Sequence, residues 1–269
     1  MNADRQVVGA GRPLVSTARA FATSIRTTQH PAQQLWDEHA YPGDQPLGVL
    51  PVPEAIRGTA FFPGGFGLFV SAPGSELPSF PFGGVMVLGH DFHSEAGYRR
   101  SLERNGESLS QPTWRNLLRL FAQAAIPTAD CFFTNFFMGL RQGTITTGVF
   151  PGSKSEPYVE HCRQFLLRQL EVQRPRLLLT LGIHTPVLVA PMSPELAPWR
   201  IRQGLKYLDA SGPIQRRVSF VGLPGFRTTV VALTHPSLRH ASVRHRRFDG
   251  ASGADAELRM LTVARTMAD

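Results

Sequence analysis

The sequence predicts an α/β domain, with a mostly parallel central sheet flanked by helices on both faces. Three observations carry this. The chain has 269 residues, 42% of them hydrophobic, enough to bury one large core. From residue 84 onward, short apolar runs alternate with segments whose apolar residues recur at helical spacing. The runs are continuous rather than alternating, as strands covered on both faces require.

Residues 1–80 read as an N-terminal extension, partly irregular, packing on a domain of residues 81–269. Pro and Gly recur through it, at Pro42-Gly43, Pro51, Pro53, Pro63-Gly64-Gly65 and Pro73-Gly74. Its aromatic stretch from Phe61 to Phe69 is expected to add a hairpin or a wall to the core. Val85-Met86-Val87-Leu88 is the first strand and Gly89 ends it. Ser110 and Pro112 open a helix whose stripe is Trp114, Leu117, Leu118, Phe121 and Ala125. Cys131-Phe132-Phe133 is a second strand, ending at Thr134-Asn135. Ser155-Glu156-Pro157 opens a helix with Val159, Cys162, Leu166 and Leu170 on one face. Arg176 to Leu181 makes a third strand, closed by Gly182. Val230 to Leu233 makes a fourth, running into Thr234-His235-Pro236-Ser237, and Ala256 to Met267 is the closing helix. Ligands of such sheets bind beyond the carboxyl ends of the strands. A carboxylate (Asp91), an amide (Asn135) and an imidazole (His235) are therefore expected to converge there.

Composition narrows the class. No run of about 18 apolar residues is present, so no membrane partner is expected. The first residues lack the layout of a secretory signal. Residues 13–30, rich in Arg, Ser and Thr and without acids, resemble a targeting peptide faintly, and a basic linker or short surface helix is the preferred reading. Cys131 and Cys162 both sit in apolar segments, which suits buried free thiols, a cytoplasmic location and no disulfide. A monomer is expected. The 28 Lys and Arg against 20 Asp and Glu give +8, and only Lys154 and Lys206 are lysines. Arginine clusters at Arg99-Arg100 with Arg104, at Arg216-Arg217, and from Arg239 to Arg247. Such a balance favours a polyanion, with DNA first.

The three strand-end groups suit cleavage of a nucleoside bond. The sugar becomes cation-like as the bond breaks, and the departing base gathers negative charge. A carboxylate meets the first change and orients water, and an imidazole donor meets the second. An amide reads the edge of a base extruded from the helix. Each residue also has a plainer role: Asp91 as a helix cap, Asn135 and His235 as turn residues. A rival chemistry is a divalent ion held by His90, Asp91, His93 and His235, with Glu95 as the nearest second carboxylate. No metal is the preferred reading.

The segments Val87-Leu88-Gly89-His90-Asp91-Phe92-His93, Phe133-Thr134-Asn135, Leu179-Thr180-Leu181-Gly182 and Thr234-His235-Pro236-Ser237 resemble, in order, the signatures of the uracil-DNA glycosylase superfamily. The stretch from His161 through Gly182 is similar to its thermophilic-type, iron–sulfur-bearing branch. The resemblance spans roughly residues 84–267 and implies a uracil-DNA-glycosylase-like fold. It implies catalysis by Asp91, which would orient the water, and by His235, which would face the departing base. Gly89, His90, Phe92 and Asn135 would contact the base. Ser237, Leu238, Arg239, His240, Arg244 and Arg246 would contact DNA, with the Leu238–His240 loop pushing into the duplex.

The departures shape the expectation. Of the branch's four cluster cysteines only Cys162 has a counterpart, and Gly139 stands at another, so no cofactor is expected. Phe92 and His93 follow Asp91 where the best-studied branch has a proline and then a tyrosine that excludes bulky 5-substituents. The base-stacking ring is left open among Phe92, Tyr98 and Trp114. No lysine adjoins the site, so water rather than a Schiff base is the expected nucleophile. The function expected is a monofunctional glycosylase acting on uracil or another deaminated base in repair. The alternatives are excision of a bulky, hypermodified pyrimidine such as modified cytosine in phage DNA, in defence, and a non-catalytic DNA-binding relative.

Overall fold

A computed structural model describes residues 29–70, 76–201 and 204–268. Five strands form its central sheet: β1 (Val85–Asp91), β2 (Cys131–Phe137), β3 (Leu177–Leu181), β4 (Ile214–Val218) and β5 (Thr228–Leu233). They lie in the order β2-β1-β3-β5-β4, all parallel except β4, which runs antiparallel to β5. Four of these strands are the apolar runs of the sequence. The fifth, β4, has no such run: Gln215, Arg216 and Arg217 leave only Val218 fully buried at that edge.

Strand alternation sorts the core into two layers. Met86, Leu88, Phe132 and Phe136 face helix α4 (Glu156–Gln173) through Tyr158, Cys162, Leu166 and Leu170. Val85, Val87, Phe133, Leu179 and Val231 face the opposite way. There they meet Trp114, Leu117 and Phe121 of α3 (Pro112–Gln123) and Ala256, Met260 and Leu261 of α5 (Gly253–Ala268). Burial on both faces is what continuous apolar strands require. Both cysteines are buried free thiols, and burial pushes both up, Cys162 to about 12.

The described part of residues 1–80 packs against this sheet. Helix α1 (Pro31–Glu38) buries Ala32 and Leu35 in the α4 layer. The aromatic stretch straps the outer edge of β2, forming a wall with one bridge instead of a hairpin. Phe62 N donates to Phe133 O at 3.0 Å, Phe133 N donates to Gly67 O at 2.8 Å, and Leu68 bridges Phe132. An edge strand otherwise leaves its backbone groups open to pairing with another chain. Gly67 is required in the strap, because its φ is +81° and a Cβ would fall 2.1 Å from the Phe132 ring. All but the last two residues of the basic segment 13–30 lie outside the described residues. No helix among the described residues is long and apolar enough to cross a membrane.

One helix between β1 and β2 escaped the sequence reading. It is α2 (Glu95–Glu103), whose first turn is capped by Ser94 Oγ accepting from Gly97 N at 3.3 Å. Only Gly97 and Tyr98 are buried in it, so no apolar stripe announces it.

Candidate active site

The carboxyl ends of β2, β1, β3 and β5 lie side by side and carry the candidate residues in a row. Gly89 pairs with Asn135 and Asp91 with Phe137 across β1 and β2. Gly89 has to be glycine for a packing reason: a Cβ there would come within 2.2 Å of Asn135 Oδ1. Asn135 is 3% exposed, and its Nδ2 donates to Phe62 O at 2.9 Å. Its amide therefore holds the aromatic strap to the strand end and turns Oδ1 toward Gly89.

Asp91 is not a helix cap, since that position belongs to Ser94. It is instead gripped from two sides. Arg141 Nε donates to Oδ2 at 2.7 Å and Arg141 Nη2 to Oδ1 at 3.0 Å. His90 Nδ1 lies 2.5 Å from the same Oδ1. Burial raises the Asp91 pKa, but the hydrogen bonds from His90 and Arg141 outweigh it and hold the carboxyl below the usual aspartate range. Arg141 was not among the residues the sequence singled out. Its position is set by a two-residue ladder, Val49–Leu50 against Leu140–Arg141, and by Arg141 N donating to His93 O at 3.0 Å. Its remaining donors reach the carbonyls of Thr147, Gly148 and Val149, and its guanidinium lies 5.4 Å from the Phe150 ring. A lone arginine closing the apolar run Phe136 to Leu140 was the signal available for it.

His90 stands edge-on to Phe137 and 5.1 Å from the His184 ring. The two residues after Asp91 fold into the protein. The Phe92 ring covers Gly64, where a Cβ would come within 2.1 Å of it. His93 packs over Gly97, and its Nδ1 accepts from Ser94 N at 2.8 Å. Among the described residues no three His, Cys, Asp or Glu side chains come together as a metal site. Of the three rings considered for stacking, two are buried in the structure. Trp114 packs between Phe61 and Phe133, and the Tyr98 hydroxyl donates to Glu54 O at 2.9 Å. Phe92 alone of the three is partly exposed as a residue.

His235 follows β5 and is only partly exposed. Ser237 N donates to His235 Nδ1 at 3.3 Å, and Ser237 Oγ lies 2.8 Å from the same nitrogen. With Nδ1 as acceptor, the neutral ring carries its proton on Nε2. Burial lowers the His235 pKa and the Asp91 carboxylate raises it by less, so the ring is neutral at pH 7. Its loop is tied down twice. Thr234 N donates to Glu257 Oε1 at 2.5 Å, and Asn116 Nδ2 donates to Pro236 O at 2.9 Å.

Glu257 corrects part of the DNA-contact expectation. It is fully buried in α5 and pairs with both Arg239 and Arg246. Arg246 is 0% exposed and also pairs with Asp209 at 2.9 Å, so no phosphate can reach it. Arg239 is mostly buried in the same network. These two arginines neutralise a buried carboxylate that anchors the His235 loop, because a buried charge has to be paired. Leu238, His240 and Arg244 are exposed, and Leu238, at 54%, is an apolar tip beside the site. Ser237 is engaged with His235. A separate open depression of about 530 Å³, between Asp209, Arg247, Asp249 and Ser252, shares no residue with these strand ends.

A sequence model of one protein family, described as Uracil DNA glycosylase superfamily, matches residues 84–252. No curated protein matches the chain.

Proposed function

The chain belongs to the uracil-DNA glycosylase superfamily, and on that footing we propose that it hydrolyses the N-glycosidic bond of a base flipped out of DNA, leaving an abasic site. The observation that carries the reading is the pairing of opposite chemistries at the carboxyl end of the sheet. The His90–Asp91 pair sits at the end of β1, and a neutral His235 with its proton on Nε2 sits at the end of β5. The first suits the sugar and the attacking water, and the second suits the charge that builds on the leaving base. A donor already aimed at developing charge stabilises it without reorganisation at the moment of reaction.

DNA enters through the exposed part of the basic surface, with Arg244 and His240 on phosphates and Leu238 at the gap the flipped base leaves. The Asn135 amide, held by Phe62 O, contributes its Oδ1 to the base-reading wall. Water is the nucleophile, since neither Lys154 nor Lys206 belongs to the row of strand-end residues. The substrate proposed first is uracil or another deaminated base, in repair. Excision of a bulkier pyrimidine, in defence, is the second reading. Its support is that both residues following Asp91 turn inward, Phe92 onto Gly64 and His93 onto Gly97.

Release of abasic sites from a panel of DNA substrates tests this, read as alkali-sensitive strand breaks. The panel holds uracil, hypoxanthine, thymine mismatches and hydroxymethylated or glucosylated cytosine. Cleavage of one base, lost in His235→Ala and Asp91→Ala, is the expected result. Tight binding of DNA with no base released by the wild type defeats the glycosylase reading and leaves a DNA-binding protein.

A further inference from the structure

We propose that His90, rather than Asp91, takes the proton of the attacking water, with Asp91 and Arg141 acting as positioning residues. This inference rests on the glycosylase reading above. Asp91 is poorly placed to be a base. Its Oδ2 accepts from Arg141 Nε, and its Oδ1 accepts from both Arg141 Nη2 and His90 Nδ1. A bidentate guanidinium neutralises a carboxylate where it lies, and this one is 9% exposed. A carboxylate held as an anion below its ordinary range is a weak proton acceptor.

The same contacts make His90 a strong candidate. With Asp91 accepting from Nδ1–H, the neutral ring is held in the tautomer whose Nε2 carries the lone pair. No group among the described residues hydrogen-bonds that nitrogen, it is not among the sealed polar atoms, and the side chain is 16% exposed. Phe137 and His184 hold the plane of the ring. A buried aspartate that fixes the tautomer of an imidazole, so that the imidazole serves as base, is the arrangement that activates hydroxyl nucleophiles in hydrolases. Here the nucleophile is water. The titratable and charged groups around His90 are Asp91 from β1, Arg141 behind it, His184 after β3 and His235 after β5.

In the step itself, the water oxygen bonds to C1′ of the sugar while His90 Nε2 takes one of its protons. The C1′–N bond breaks, and its electron pair leaves with the base. His235 Nε2–H donates a hydrogen bond to that anion. The base then takes a proton from solvent, and His90 returns its proton to solvent. One water is consumed, and the two imidazoles work in opposite senses, one as acceptor and one as donor.

The test is the single-turnover rate, with enzyme in excess, on the substrate that the wild type cleaves. His90→Asn keeps a donor toward Asp91 but removes the Nε2 base. It is expected to lower the rate about 100-fold or more. His90→Gly with added imidazole should recover part of the rate, which a merely structural role does not predict. A His90→Asn rate within about threefold of wild type overturns the proposal and leaves the glycosylase reading standing. Should His90→Asn fail to fold, by its thermal melt, the imidazole rescue of His90→Gly decides, and a failure to rescue overturns the proposal. A wild type that releases no base from any substrate overturns both.

Discussion

Arg141 places all of its donors on protein acceptors: two on Asp91 and the others on the carbonyls of Thr147, Gly148 and Val149. It is 4% exposed, so water cannot take its place. Arg141→Leu leaves the Asp91 carboxylate buried with His90 as its remaining partner. Removing one member of a buried ion pair costs about 3–5 kcal/mol, and a denaturant midpoint lowered to match is the expected result. Arg141→Lys should recover little of it, because one ammonium cannot make the two parallel bonds of a guanidinium. The pair also has a pH signature. The folded Asp91 pKa is depressed, so its contribution is present above the unfolded value of about 3.9 and is lost as pH falls through the folded value. Between pH 5 and 2 the wild type should lose more stability than Asp91→Asn, as read from urea unfolding across that range.

At the scale of elements, the strap over β2 and the loop after β5 are where the extension and the arginine-rich stretch serve the site. Glu107, in the connection between α2 and α3, accepts from Ala60 N at 2.6 Å at the start of the strap. Burial pushes its carboxyl up to about 7. The folded value lies above the unfolded one. Its contribution is therefore fully present below about 4.5 and is lost as pH rises through about 7. Glu107→Gln should remove that slope, measured as the thermal midpoint between pH 5 and 8. Strand packing yields a second test. Gly89→Ala sets a methyl against Asn135 Oδ1, and overpacking of this kind costs about 1–3 kcal/mol. Thermal unfolding reads the loss, and base release should fall with it, since Asn135 must leave the Phe62 carbonyl or β1 must shift.

The charge of the whole molecule, +8, predicts a steep salt dependence for DNA binding, but exposure decides which arginines contribute. Arg244 is exposed, so Arg244→Ala should weaken DNA binding on every sequence and reduce the salt slope by about one. Titrations at several salt concentrations measure both. Arg246→Ala should instead unfold the protein at lower denaturant, because it leaves buried Glu257 with Arg239 as its one arginine partner and removes the ion-pair partner of Asp209. Equal effects of the two substitutions on DNA binding, with no loss of stability in the second, would contradict this division.

Much of the architecture was legible in the chain, because burial on two faces writes itself as continuous apolar runs. Four of the five strands of the central sheet, three of the helices and the strand-end positions of Asp91, Asn135 and His235 follow from that pattern alone. Elements whose apolar signal is thin left no such trace: β4 carries Arg216 and Arg217, and α2 buries only Gly97 and Tyr98. The tertiary structure decided what each polar residue is paired with. Asp91 and Arg141 lie 50 positions apart, and Asn135 and Phe62 lie 73 apart. The arginines from 239 to 247 look alike in sequence, yet one is sealed against Glu257 while another faces solvent. Periodicity reports which side of an element is apolar, a local property. The partner and exposure of a charge depend on which distant segment folds beside it, and only the assembled fold contains that.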